Sequence, residues 1–148
     1  MFDRILPRSI DNTYRGHKLA LWLLGLLVLM RMTIGFNSIF NGAMVLKTAD
    51  GVPLDSYPAG AAHTIVALWA LLGLSYIFVG VIGVLVLARY RGMTPFMFAL
   101  LLLQNLSGRL IGEFIPIERT GNPPAMVINL VFLTLMIVGL GLSLWRRR

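Results

Sequence analysis

Apolar residues fill four long stretches of the chain, about 19–46, 61–88, 93–115 and 124–145, and polar residues collect between them. Each stretch supplies the roughly 20 apolar residues that a helix needs to cross the hydrocarbon of a bilayer. The runs are continuous, without the alternation over roughly ten residues that marks a membrane β-barrel, so the spans are predicted to be helices. No internal repeat and no low-complexity segment interrupts them. The pattern therefore predicts a single all-α transmembrane domain over 1–148, an antiparallel four-helix bundle preceded by a polar arm, 1–18.

The links refine that picture. "SIDNT", 9–13, is rich in residues that favour turns and helix caps, and predicts the approach to the first helix. "KTADGVPLDSYPAG", 47–60, is dense in Gly, Pro and Asp and reads as a turn-rich loop. "RYRG", 89–92, is short enough to make the second and third spans antiparallel neighbours. Thr94-Pro95 suits a helix start, where the missing proline N–H leaves no bond unmade. Pro116 should end the third span, and Pro123 and Pro124 should open the fourth.

Composition agrees with the pattern. The chain is 57% hydrophobic and 13% charged, with mean hydropathy +0.81; soluble domains carry about 25% charged residues. A secretory signal peptide has an apolar core of only about 7–15 residues before a small-residue cleavage site, so the longer first run reads as a retained span. Cysteine is absent, which removes disulfides, thiolate catalysis and thiolate-bound metals.

The net charge of +7 changes the picture through its placement. Arg4, Arg8, Arg15, Lys18, Arg89, Arg91 and Arg146 to Arg148 share one side of a four-span chain; the other side has Lys47 and Arg119. That asymmetry predicts cytoplasmic termini and makes the basic residues a topology signal, with possible contact to anionic lipid, rather than a nucleic-acid footprint.

Taken together, a first span with a central basic residue, a glycine-containing second span, "SGRLIGEFIP" closing the third, "TGNPP", and a final apolar span resemble the small DoxX-like four-helix membrane proteins of bacteria. The stretch "DNTYRGHKLALW" also resembles a bacterial inner-membrane family with no assigned activity. The resemblance covers nearly the whole chain. It implies the same bundle in a bacterial inner membrane. Some DoxX relatives are linked to quinone-coupled sulfur oxidation, and no motif here carries that activity over.

Polar residues inside the spans are the candidate chemistry. Counting about 1.5 Å per helical residue from the cytoplasmic ends places Arg31, Tyr76, Ser75, Asn105 and Thr134 near mid-bilayer, at about 16–20 Å. Asn37, Asn129 and Arg109 fall about 24–27 Å up, with Glu113 one turn above Arg109. Arg109 and Glu113 are i,i+4 neighbours, as an intrahelical pair would be. An arginine at mid-membrane is costly and should face the bundle interior. Arg31 is therefore expected to turn toward the third span and hydrogen-bond Gln104 or Asn105, in a polar seam that widens toward Asn37, Asn129, Arg109 and Glu113. Within the spans two arginines face one glutamate, so the seam would favour an anion or a ligand carrying a carboxylate, phosphate or quinone oxygen.

Plainer readings stand beside this one. Asn, Gln, Ser and Thr often simply bond membrane helices together, and Ala70, Gly73 and Gly80 would let the second helix approach a neighbour closely. Asp50, Asp55 and His63 could gather a metal, but their spacing matches no known loop. No nucleophile–base pair, phosphate-cradling loop or paired carboxylates occur, so no catalytic residue, resident metal or cofactor is assigned. The expected function is non-enzymatic binding of a small amphipathic molecule, lipid or quinone-like ligand through Arg31, Gln104, Asn105, Asn37, Arg109 and Glu113. The alternative is an accessory subunit of a larger membrane complex, or a homo-oligomer. A transporter is disfavoured because the cytoplasmic half of every span is nearly all apolar.

Overall fold

A computed structural model describes residues 12–145; Ser9 to Asp11 of the expected turn, with Arg4, Arg8 and Arg146 to Arg148, lie outside them. The described chain is helical, in the order α1 (Lys18–Phe40), α2 (Gly42–Thr48), α3 (Ala59–Ala88), α4 (Thr94–Phe114) and α5 (Pro124–Leu144). Single turns of 3-10 helix at Leu54–Ser56 and Arg91–Met93 precede α3 and α4. Four of these helices are long and apolar enough to cross a membrane: α1, α3, α4 with its leading turn, and α5.

The first apolar stretch departs from expectation. It is not one helix to residue 46: it breaks at Asn41, whose backbone leaves the helical region, and α2 resumes at Gly42. Asn competes with the backbone through its own side chain, and Gly adds chain entropy, so the pair weakens the ladder here. The Asn41 side chain donates to Asn37 Oδ1 at 3.3 Å, and Asn37 Nδ2 donates to the Thr33 carbonyl at 2.9 Å. The cap of α1 is also later than "SIDNT" suggested. His17 fills it, its Nδ1 accepting from the Leu19 N–H at 3.2 Å. The prolines act as expected, with Pro95 in the first turn of α4 and Pro124 opening α5.

One core joins all four long helices, and it lies toward the end where α1 begins. Ala20, Leu24, Leu27 and Val28 from α1 meet Val86 from α3, Met97, Phe98 and Leu101 from α4, and Met136 from α5. Above this level α4 has no buried residue beyond Leu101, and α5 has none before Met136. The α1–α3 contact, the most extensive in the molecule, continues upward. There the backbones nearly touch: a methyl group at Gly73 would lie 2.6 Å from Ser38 Cβ, and one at Gly35 would lie 2.7 Å from the Gly73 carbonyl oxygen. Gly80 likewise faces Met32 of α1. The small residues of the second span thus serve close helix approach.

Loops tie both ends. The Gly16 region crosses beneath α5, where His17 N–H donates to the Leu142 carbonyl at 3.1 Å. Asn12 reaches the Arg89 carbonyl at 2.5 Å, and Tyr14 OH donates to the His17 carbonyl at 2.9 Å. Burial pushes the Tyr14 phenol up to about 12, so it remains a neutral donor. At the opposite end the 47–60 segment folds around its own small core of Leu46, Val52 and Leu54, with Tyr57, Ile65, Val66 and Trp69. Gly51, at φ +70°, presents its carbonyl to Thr120, whose N–H and hydroxyl donate to it at 2.8 and 3.0 Å.

Candidate functional site

The polar side chains of the spans fall into two separate groups. The first is Arg31 on α1 with Tyr76 on α3. Arg31 lies 13 residues into α1 and Tyr76 lies 12 residues before the end of α3, so both sit about 18–20 Å from the end where α1 begins. The close α1–α3 approach brings them together: the Arg31 guanidinium carbon is 4.6 Å from the centroid of the Tyr76 ring. The ring's negative face attracts the cation, by about 2 kcal/mol where water is excluded. A ring carries no net charge, however. No carboxylate of the described residues pairs with Arg31; the described ion pair is Lys47–Asp55, 2.5 Å, in the far loop.

This corrects the expected seam. Arg31 turns to the second span, not to Gln104 or Asn105 of the third. Helix α1 packs broadly on α3 and only slightly on α4, so a residue at the correct height meets α3 first. Depth alone does not specify azimuth.

The second group joins α4 to α5. Asn105 Nδ2 donates to Asn129 Oδ1 at 2.7 Å, and Arg109 Nε donates to Asn105 Oδ1 at 3.3 Å. Straight counting separates the two asparagines by about 6 Å along the membrane normal, and their contact shows that α4 and α5 do not keep that register. Arg109 spends its Nε on Asn105, and among the described residues it forms no ion pair with Glu113, which is exposed. Gln104 Oε1 is buried with no hydrogen-bond partner among the described residues.

The remaining candidates are locally satisfied. Asn37 is exposed and bonds within its own helix and to Asn41, so it does not line a seam. Ser75 and Thr134, expected at the mid-membrane level, donate to their own helices, to the Leu72 and Leu130 carbonyls at 2.6 and 3.0 Å. Among the described residues no three His, Cys, Asp or Glu side chains gather, so Asp50, Asp55 and His63 do not form a metal cluster. Asp55 is held by Lys47. Burial pushes the Asp50 carboxyl above the ordinary carboxylate range, and the nearby charge of Arg119 offsets part of that.

The residue picked out by structure and not by sequence is Tyr76 as the partner of Arg31. Its height matched that of Arg31 on simple counting, and the glycines of the second span were the signal that α1 and α3 pack closely. The chain matches no family model, and no curated protein or solved structure is significantly similar to it.

Proposed function

We propose that this is a multi-pass protein of the bacterial inner membrane, related in architecture to the DoxX-like group, that binds the polar head of an amphipathic or quinone-like molecule beside Arg31. The four long helices alternate in direction, with both termini cytoplasmic. The positive-inside pattern supports that orientation, since Arg15, Lys18, Arg89 and Arg91 flank one set of helix ends while Lys47 and Arg119 flank the other. Binding alone is assigned, with Arg31 as the recognition group beside the Tyr76 ring.

One observation carries the reading. Arg31 is a mid-membrane cation braced by an aromatic ring, with no carboxylate among the described residues to balance it. Such a group is retained against an insertion cost of at least about 2.5–3.5 kcal/mol. A ligand carboxylate or phosphate would balance the charge that Tyr76 leaves in place, and a quinone oxygen would accept a hydrogen bond from the guanidinium. Asn105, Asn129 and Arg109 then act chiefly as bonds between α4 and α5, with Gln104 Oε1 able to accept from a ligand hydroxyl.

The direct test is thermal unfolding of the detergent-purified protein during titration with a short-chain quinone and, separately, with decanoate. Saturable stabilisation by at least one probe is expected, approaching about 2.7 kcal/mol when the probe exceeds its Kd a hundredfold. Arg31→Leu should abolish the response and leave the helical signal intact. Stabilisation by neither probe, or an undiminished response in Arg31→Leu, contradicts the assignment.

A second reading, an accessory subunit or homo-oligomer, draws support from the outer half of α4. A methyl group at Gly108 or Gly112 would meet nothing within 4 Å. Small residues four apart on a membrane helix are the usual contact for another helix. Light scattering of the purified protein distinguishes the two readings: Gly112→Leu should shift the mass only if α4 joins another chain.

A further inference from the structure

A different site lies at the end where α1 begins. A cavity of about 760 Å³ opens there between the turn before α1, the first turns of α1, and the end of α3 with its following turn. Tyr14, Arg15, Lys18, Trp22, Leu87 and Arg91 contribute to its walls, and none of the described residues lining it is acidic. Lys18 and Arg91, cations from two separate segments of the chain, therefore converge on one concavity. Arg91 is oriented within it by its Nε, which donates to the Leu87 carbonyl at 3.0 Å, a bond that does not use the terminal nitrogens of the guanidinium. The Asn12 bond to the Arg89 carbonyl and the His17 bond to the Leu142 carbonyl hold the arm in place, so the wall that carries Arg15 and Lys18 is tied to α3 and α5.

The rim fits a membrane surface. Trp22 is 79% exposed and projects from the first turns of α1, at the level where amphipathic rings lie among headgroups. Leu21 and Leu87 add apolar side chains to the same wall. A ligand matched to these walls carries a phosphate for the cations and acyl carbon for the apolar side.

We infer that this cavity binds a phosphate group, supplied by the headgroup of an anionic phospholipid. The site is independent of Arg31, which lies about 20 Å farther along α1, so either assignment can fail without the other. Its effect is to fasten the junction of α1, α3 and the arm to the lipid leaflet.

The test uses the intact chain in detergent with Trp69→Phe and Trp145→Phe, so that Trp22 reports alone. Its fluorescence is followed during titration with short-chain phosphatidylglycerol, short-chain phosphatidylcholine and inorganic phosphate. Phosphatidylglycerol should give a saturable change. Lys18→Gln together with Arg91→Gln should weaken it about thirtyfold, from two surface cations lost at an anionic headgroup. Arg91→Lys, which keeps the charge, should retain most of the affinity. A saturable phosphate response with the same dependence on Lys18 and Arg91 sustains the phosphate site and makes the free ion its source. Equal affinity for phosphatidylcholine, no saturable response to either phosphate probe, or binding indifferent to the double substitution overturns it. A circular dichroism melt of each variant confirms that the altered proteins are folded before their binding is compared.

Discussion

The half of the bundle near the start of α1 and the half near the far loops are built on different principles. In the first, all four long helices share a dry core around Phe98, Leu24, Leu27 and Met97, each fully buried. In the second, α1 and α3 stay in tight contact through Gly35, Ser38 and Gly73, while α4 and α5 meet each other through Asn105 and Asn129. The costly polar residues, Arg31 among them, lie at or beyond the boundary between the halves. Lipid tails are as apolar as leucine, so packing and not hydrophobic burial holds membrane helices together. A chain that concentrates its packing in one half can leave polar side chains in the other to meet something else.

Substitutions can break or sharpen that comparison. The largest effect is expected in the packed half. Phe98→Ala empties the centre of the four-helix core and should cost about 3–5 kcal/mol, read by denaturant unfolding in detergent. A loss below about 1 kcal/mol would mean the shared core does not dominate stability. In the open half, Asn105→Leu should cost less, about 0.6–2 kcal/mol. A double-mutant cycle with Asn129→Leu should show coupling, because the two side chains bond each other. Independent effects would remove Asn105–Asn129 as the tie between α4 and α5.

Smaller effects test the far loop and the rim. The folded-state pKa of Asp50 lies above its unfolded value, so ionised Asp50 destabilises the fold. Stability from this group is greatest while it is protonated and falls as pH rises from the ordinary carboxylate range through the raised folded value. Asp50→Asn should therefore melt later than the parent above about pH 7 and together with it below about pH 4, a gain under about 1 kcal/mol. The opposite sign would mean that Arg119 outweighs burial. Smallest of all is Glu113→Gln. Glu113 is exposed and unpaired with Arg109, so stability should change by no more than about 0.5 kcal/mol in either direction.

What could be read from the sequence was the set of long helices and the matching heights of residues on α1 and α3. The counted register of α4 against α5 failed at Asn105 and Asn129. Continuous apolar runs fixed the four long helices, Pro95 and Pro124 marked their starts, and residue counting put Arg31 and Tyr76 at one height. Neighbours around the bundle were not legible. Each span is apolar on nearly every face, so hydrophobic periodicity does not reveal which side meets which helix. That ambiguity sent Arg31 toward Gln104 when the Gly73 approach had already brought Tyr76 beside it. The break at Asn41 was hidden for a related reason: Asn-Gly lies within a run whose hydropathy alone continues to Leu46. The pairing of Arg109 with Glu113 failed because i,i+4 spacing permits a contact without requiring it, and Asn105 supplied a nearer acceptor.

The division between a helix tie and a ligand cation comes down to one comparison by native mass spectrometry of the parent, Arg31→Leu and Asn105→Leu, each purified in the same mild detergent. The expected result is a small amphipathic molecule retained by the parent and by Asn105→Leu, and lost from Arg31→Leu, with all three proteins still folded. The same bound mass at undiminished occupancy in Arg31→Leu, or its loss from Asn105→Leu alone, would contradict the assignment of recognition to Arg31.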